Sequence, residues 1–137
     1  MPYVQHVLPQ HNLVYTRMDG LVTLEDMVSS FEIYATHEHA APGQDFITDA
    51  SRITGSTIDD KERLILHSRM APILTAGDKH RNFLLIMPIM VAVEAASRYT
   101  QMWDATPNVT ASLATSEEDA LTRMGLPVTL ISELMSS

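Results

Sequence analysis

The sequence predicts an α/β fold, in which a five-stranded mixed β-sheet is flanked by about four helices in the order β-β-α-β-α-β-α-β-α. Three observations support this prediction. Apolar segments of strand length alternate with longer segments in which apolar residues recur every three or four positions. A short polar connection near the start predicts an antiparallel strand pair, whereas the later alternation with helices predicts parallel strands. The chain has 137 residues, the size of one domain, so residues 1–137 are predicted to form a single domain.

The first two predicted strands are Tyr3–Leu8 and Leu13–Asp19, and Pro9 with a polar QHN segment separates them. Because Asp-Gly is a typical turn sequence, the second strand is predicted to end at Asp19-Gly20.

A helix is predicted from Thr23 to about His37. Thr23 and Asp26 have the spacing of a capping box, in which each side chain bonds the other residue's backbone amide. The helix has one apolar stripe with the period of an α-helix, formed by Leu24, Met27, Val28, Phe31 and Tyr34.

The third predicted strand is Asp45–Ala50, followed by a hydroxyl-rich loop over residues 51–58. A second helix is predicted to begin near Asp59, where acidic residues favour the positive end of the helix dipole. Pro72 is predicted to end or kink this helix, because proline lacks an amide donor.

The fourth predicted strand, Asn82–Met87, contains the continuous apolar run FLLIM, which is typical of a strand covered on both faces. An apolar helix over residues 89–103 and a fifth strand over Val109–Ala114 follow. Ser116 begins a capping sequence for a short helix that ends near Gly125. The tail VTLISELM favours a last helix.

Composition excludes several functions. Seventeen acidic residues against nine basic ones give a formal net charge of −8, which disfavours binding to nucleic acid or to anionic lipid. Cysteine is absent, which excludes disulfides and thiolate chemistry and agrees with a cytoplasmic location. The longest nearly apolar run is shorter than the roughly 20 residues of a spanning helix, so no membrane span is predicted. We find no catalytic or nucleotide-binding motif, and therefore expect neither enzymatic activity nor a cofactor.

Polar residues at the predicted end of the third strand form the first candidate site. Ligands of parallel sheets tend to bind beyond the carboxyl ends of the strands, where Asp49, Ser51 and Thr54 are predicted to lie. Their oxygens could receive a ligand or a partner's donor groups. The alternative is that they only bond the amides of a turn, as aspartate and serine often do. Asp59, at the start of the second helix, belongs to the same predicted surface.

Glu94 is unusual because it is acidic within an apolar helix. It could act as a base or bind a ligand, or it could form an ion pair with Arg98 four residues later. Met102, Trp103 and neighbouring apolar residues could line a pocket for a small apolar or lipid-like ligand between the sheet and this helix, or they could simply be core. His37-Glu38-His39 lacks the spacing of a metal site and is interpreted as a polar helix end.

Four segments resemble the SpoIIAA-like branch of the STAS domains, the anti-sigma-factor-antagonist type, which is often described together with the CRAL–TRIO domains. They span residues 12–126 and are NLVYTRMDGLVTLEDM, FITDASRIT, LLIMPIMVAVEAASRYTQMW and ATSEEDALTRMGL. The resemblance implies a non-catalytic regulatory module that binds a protein partner through the segment 51–58 and the exposed side of the second helix. A small apolar ligand is the alternative, and a homodimer is possible.

The resemblance does not extend to the phosphorylated serine of STAS switch proteins. Their Asp-Ser-Ser-Gly sequence aligns with Thr57-Ile58-Asp59-Asp60, so Ile58 occupies the position of the serine that takes the phosphate. We therefore do not expect a kinase-regulated switch at this position.

Overall fold

A computed structural model describes residues 3–87, 97 and 100–136, which form one five-stranded mixed sheet with helices on both faces. The predicted fold class is confirmed. The strands are β1 (Tyr3–Leu8), β2 (Leu13–Val22), β3 (Asp45–Ser56), β4 (Arg81–Ile86) and β5 (Val109–Ala114). They lie in chain order across the sheet, with β1 antiparallel to β2 and all later neighbours parallel.

The described helices are α1 (Leu24–Ala35), α2 (Asp60–Leu74), α3 (Glu117–Arg123) and α4 (Leu130–Ser136). The capping box at Thr23 and Asp26 is present, and the Ser116 side chain accepts the amide of Asp119 as predicted. Most of the predicted helix 89–103 lies outside the described residues.

The sheet separates two apolar cores, because side chains alternate between its faces. Phe46 and Phe83 pack with α1 and α2 on one face. Ile47 and Leu84 pack with α3 and α4 on the other. Consecutive residues Phe46–Ala50 are all buried, as are Phe83–Ile86. The prediction that FLLIM is covered on both faces is confirmed for Phe83–Ile86.

Two predicted strand ends are wrong. Asp19-Gly20 does not turn the chain, because β2 continues to Val22 through register irregularities, with Gly20 at a φ of 71°. Glycine adopts this positive φ at no steric cost and so permits a β-bulge within the strand. Residues 51–56 of the predicted hydroxyl-rich loop likewise belong to a strand. β3 continues to Ser56 and pairs with the extended end of β2.

Pro72 does not end α2 at once, since the helix continues for two residues to Leu74. The side of α2 that faces the core is formed by Leu66, Met70 and Leu74, which are fully buried. Burial of these three side chains outweighs the loss of one amide donor near the last turn of the helix.

Candidate functional site

Asp49 lies inside β3 but at the end of its pairing with β4. Its register partner Ile86 is the last residue of β4, so β3 continues beyond this point with β2 as its neighbour. Asp49 is only 3% exposed. Asp49 therefore lies where β3 stops pairing with β4, in agreement with the predicted position at the rim of the central sheet. β3 itself ends seven residues later, at Ser56.

Ser51 bonds Asp49 directly. The Ser51 amide donates to Asp49 Oδ1 at 2.9 Å, and the Ser51 hydroxyl donates to the same oxygen at 2.5 Å. Such local bonds are typical of aspartate and serine where a strand changes its regular pairing. Thr54 lies three residues farther along β3 and is exposed.

Three further residues, which the sequence analysis did not select, complete a partly buried polar cluster around Asp49. Arg17 is the register partner of Asp49 on β2, and its Nε lies 4.0 Å from Asp49 Oδ2. The same Nε donates to the Tyr15 hydroxyl at 3.0 Å. Glu117, at the start of α3, accepts from the Tyr15 hydroxyl at 2.5 Å and from Arg17 Nη2 at 3.2 Å. We call Tyr15, Arg17, Asp49, Ser51 and Glu117 the Arg17 cluster.

Burial and pairing shift two pKa values in this cluster. The pKa of Tyr15 is raised well above its ordinary value, mainly because burial disfavours the phenolate and also because its proton is donated to Glu117. Burial lowers the pKa of Arg17, but its hydrogen bonds to Tyr15 and Glu117 outweigh that effect and raise it. Tyr15 therefore stays protonated and Arg17 stays charged.

The raised pKa of Tyr15 predicts a loss of stability at alkaline pH. Above about pH 10, the unfolded chain releases this proton while the folded chain keeps it. The stabilisation is therefore complete below this pH and decreases as pH rises through the folded-state pKa. Urea unfolding from about pH 9 to 11 is expected to show a steeper loss of stability for the native chain than for Tyr15→Phe. Equal pH dependence of the two chains would contradict this assignment.

The Arg17 cluster is suited to holding the fold together. One guanidinium faces two carboxylates, so the cluster carries no spare positive charge for an anionic ligand. The hydroxyl of Tyr15 and that of Ser51 are each donated to a carboxylate of the cluster. The cluster joins the start of α3 to β2 and β3.

The remaining predicted residues are not brought into this cluster. Asp59 caps α2, where its Oδ1 accepts the Glu62 amide at 2.7 Å. Glu94 and Arg98 lie outside the described residues, as does most of the predicted apolar pocket. Met102 and Trp103 pack on or within the core of α1 and α2.

The histidine segment after α1 makes local contacts. The His39 amide donates to His37 Nδ1 at 3.0 Å, and His39 Nε2 lies 3.5 Å from Glu38. Within residues 3–87, 97 and 100–136, no group of three side chains is arranged to hold a metal ion.

A second candidate site is the solvent-facing side of α2. Leu64 is 71% exposed and Ile65 is 40% exposed, although both are large and apolar. Lys61 and Ser68 lie beside them in the helix and are exposed as well. We call Lys61, Leu64, Ile65 and Ser68 the α2 surface. The exposed residues Ser56, the last of β3, and Thr57 lie just before this helix in the sequence.

The fold is shared with a solved structure of a regulator. The structure of the anti-sigma factor antagonist SpoIIAA in its unphosphorylated form superposes with a TM-score of 0.51, at 14% sequence identity, over 90% of this chain and 97% of that one. The chain has a SpoIIAA-like, STAS-type fold. No protein-family model matches the sequence, and no curated protein matches it. Across the described part of this SpoIIAA-like domain, no helix has the length and apolar character needed to cross a membrane.

Proposed function

We propose that this SpoIIAA-like domain is a non-catalytic regulatory module, which binds a protein partner through the α2 surface and the adjoining exposed end of β3. The observation that carries the proposal is the exposure of Leu64, the most exposed large apolar side chain among the described residues. Contiguous exposed apolar side chains mark interaction sites on protein surfaces, and Leu64 and Ile65 are two such neighbours.

Two further observations support this proposal. The polar residues of the Arg17 cluster are paired with one another, which favours binding over catalysis as the role of the domain. The likeness to an anti-sigma factor antagonist agrees with a role in protein recognition. A cytoplasmic location, a homodimeric state and the extent of the domain over the whole chain stay predictions of the sequence.

Affinity capture with matched variants tests the proposal. The immobilised native domain and Val128→Lys are expected to retain the same partner from an extract of the source cells, and Leu64→Lys is expected to lose it. Val128 is 52% exposed and lies between α3 and α4, so its variant places the same charge on another surface. If Leu64 contributes to the binding energy, Leu64→Lys is expected to lower the affinity for the partner at least tenfold, which corresponds to about 1.4 kcal/mol of binding free energy.

The choice of Leu64 avoids an effect on the fold. Charge reversal at Asp59 would remove the N-cap of α2, which typically costs about 1 kcal/mol, and so would mix helix stability with binding. If Leu64→Lys retains every partner that the native domain retains, the proposed surface is wrong.

A further inference from the structure

An elongated groove lies between α1 and α2, beside the α2 surface. Its volume is about 610 Å³, within the range of protein ligand sites. The α1 side is lined by two neighbouring rows of residues spaced four apart, which begin at Leu24 and Glu25. Ile65 and Arg69, also four apart, line the α2 side. The groove therefore follows both helix axes.

The length of the groove fits a helix better than a compact ligand. Lining residues extend along α1 from Leu24 to Thr36. At the helical rise per residue, these twelve steps give the groove a length of about 18 Å. This is the length of about three helical turns. Partner helices bind such grooves through apolar side chains spaced three or four residues apart.

The lining alternates apolar and polar side chains. Leu24, Val28, Ile33 and Ile65 supply apolar contacts, and Ile33 is 44% exposed, which leaves it available to a partner. The other lining residues are polar or charged: Glu25, Ser29, Glu32, Thr36 and Arg69. A lipid tail would displace water from the charged side chains of Glu25 and Glu32 without replacing its hydrogen bonds, whereas an amphipathic helix has polar flanks to meet them.

Charge determines which helix fits. Glu25 and Glu32 are both exposed, and Arg69 is the cationic residue of the lining. Arg69 already pairs with Glu32 at 3.2 Å, where both side chains are about 60% exposed, so the pair is weak and open to exchange. The whole chain carries a net charge of −8. A basic helix is attracted to this groove, whereas a second copy of the acidic chain is repelled.

We infer that the groove between α1 and α2 binds an amphipathic helix of the partner, with apolar residues along one side and lysine or arginine residues flanking them. This inference rests on the proposed function and names the chemistry of the partner. Apolar residues of the helix contact Val28, Ile33 and Ile65, and its basic flank contacts Glu25 and Glu32.

A designed peptide provides the test. The probe is a three-turn to four-turn helical peptide with leucines in one stripe and lysines on both flanks. Two control peptides are used, one with glutamates in place of the lysines and one with the same composition in scrambled order. Amide shifts of the isotope-labelled domain are expected to change along residues 24–36 and 65–69 with the lysine peptide alone.

Matched variants test whether the groove itself binds the peptide. Ile33→Lys and Glu25→Lys are each expected to weaken binding of the lysine peptide at least fivefold, because each places a positive charge opposite the lysines of the peptide. Both residues are exposed, so their replacement leaves the core intact. Val128→Lys, which places the same charge on the other face of the sheet, is expected to leave peptide affinity unchanged, since Val128 does not line the groove. Shifts elsewhere, no binding, or equal binding of the glutamate or scrambled peptide would overturn the inference.

The outcomes also separate this inference from the proposed function. If Leu64→Lys abolishes partner capture but the lysine peptide does not bind in the groove, the groove is not the helix site and the proposed function stands. If the peptide binds the groove and Leu64→Lys retains every captured partner, the assignment of partner binding to the α2 surface is wrong. Self-association that Ile33→Lys abolishes would assign the groove to a second copy of the chain and overturn the inference.

Discussion

Replacement of Phe46 by alanine is expected to lower the free energy of unfolding by about 4 kcal/mol, at the upper end of single-residue effects. Phe46 is 1% exposed and lies in the centre of the core that α1 and α2 cover. Its ring stacks on Phe83 at 5.6 Å and meets Tyr34 edge-on at 5.0 Å. The guanidinium of the buried Arg81 lies 5.6 Å above its centre. Alanine removes all of these contacts and leaves a cavity.

Phe46→Leu is the matched variant, because it keeps most of the apolar volume while removing the ring. Its expected cost is below about 2 kcal/mol. Urea unfolding of the three chains measures both values. A cost of less than about 1 kcal/mol for Phe46→Ala would contradict the assignment of β3 to the interior of the sheet.

Arg17→Met is expected to cost about 2–3 kcal/mol, the second largest effect. The change removes hydrogen bonds to the Tyr15 hydroxyl and to Glu117, and it takes the nearest cation from the buried Asp49. A buried carboxylate without its cation is strongly unfavourable, although the two donors of Ser51 remain.

Two controls test this cause. Arg52→Met removes an exposed arginine from β3 and is expected to change the free energy of unfolding by no more than about 0.5 kcal/mol. The double variant Arg17→Met with Asp49→Asn is expected to be about 1 kcal/mol more stable than Arg17→Met, because asparagine removes the unpaired charge. If Arg17→Met costs no more than Arg52→Met, the Arg17 cluster does not stabilise the domain.

The sequence predicted the interior of the sheet better than its ends. The continuous apolar run FLLI identified the buried part of β4, because a strand covered on both faces is built mainly from apolar side chains. The extension of β3 to Ser56 was missed, since hydroxyl residues such as Ser51, Thr54 and Ser56 are typical of loops as well as of exposed strands. That extension depends on pairing with β2 through the irregularity at Gly20, a tertiary contact that local sequence does not reveal.

The polar cluster was only half predictable. Asp49 and Ser51 are two residues apart, so their contact could be expected from the turn preferences of these residue types. Glu117 is 100 residues from Arg17 in the sequence, and the sheet topology alone brings them together. One signal was present: Arg17 is a charged residue between the apolar residues Leu13–Tyr15 and Met18, so its charge needs a partner.

Amide hydrogen exchange of the domain, alone and in complex with its captured partner, tests the proposed function most directly. We expect added protection to be concentrated in residues 52–69, which comprise the exposed end of β3 and the α2 surface. Added protection confined to residues 124–136, on the opposite face of the sheet, with unchanged exchange over residues 52–69, would contradict the proposed function.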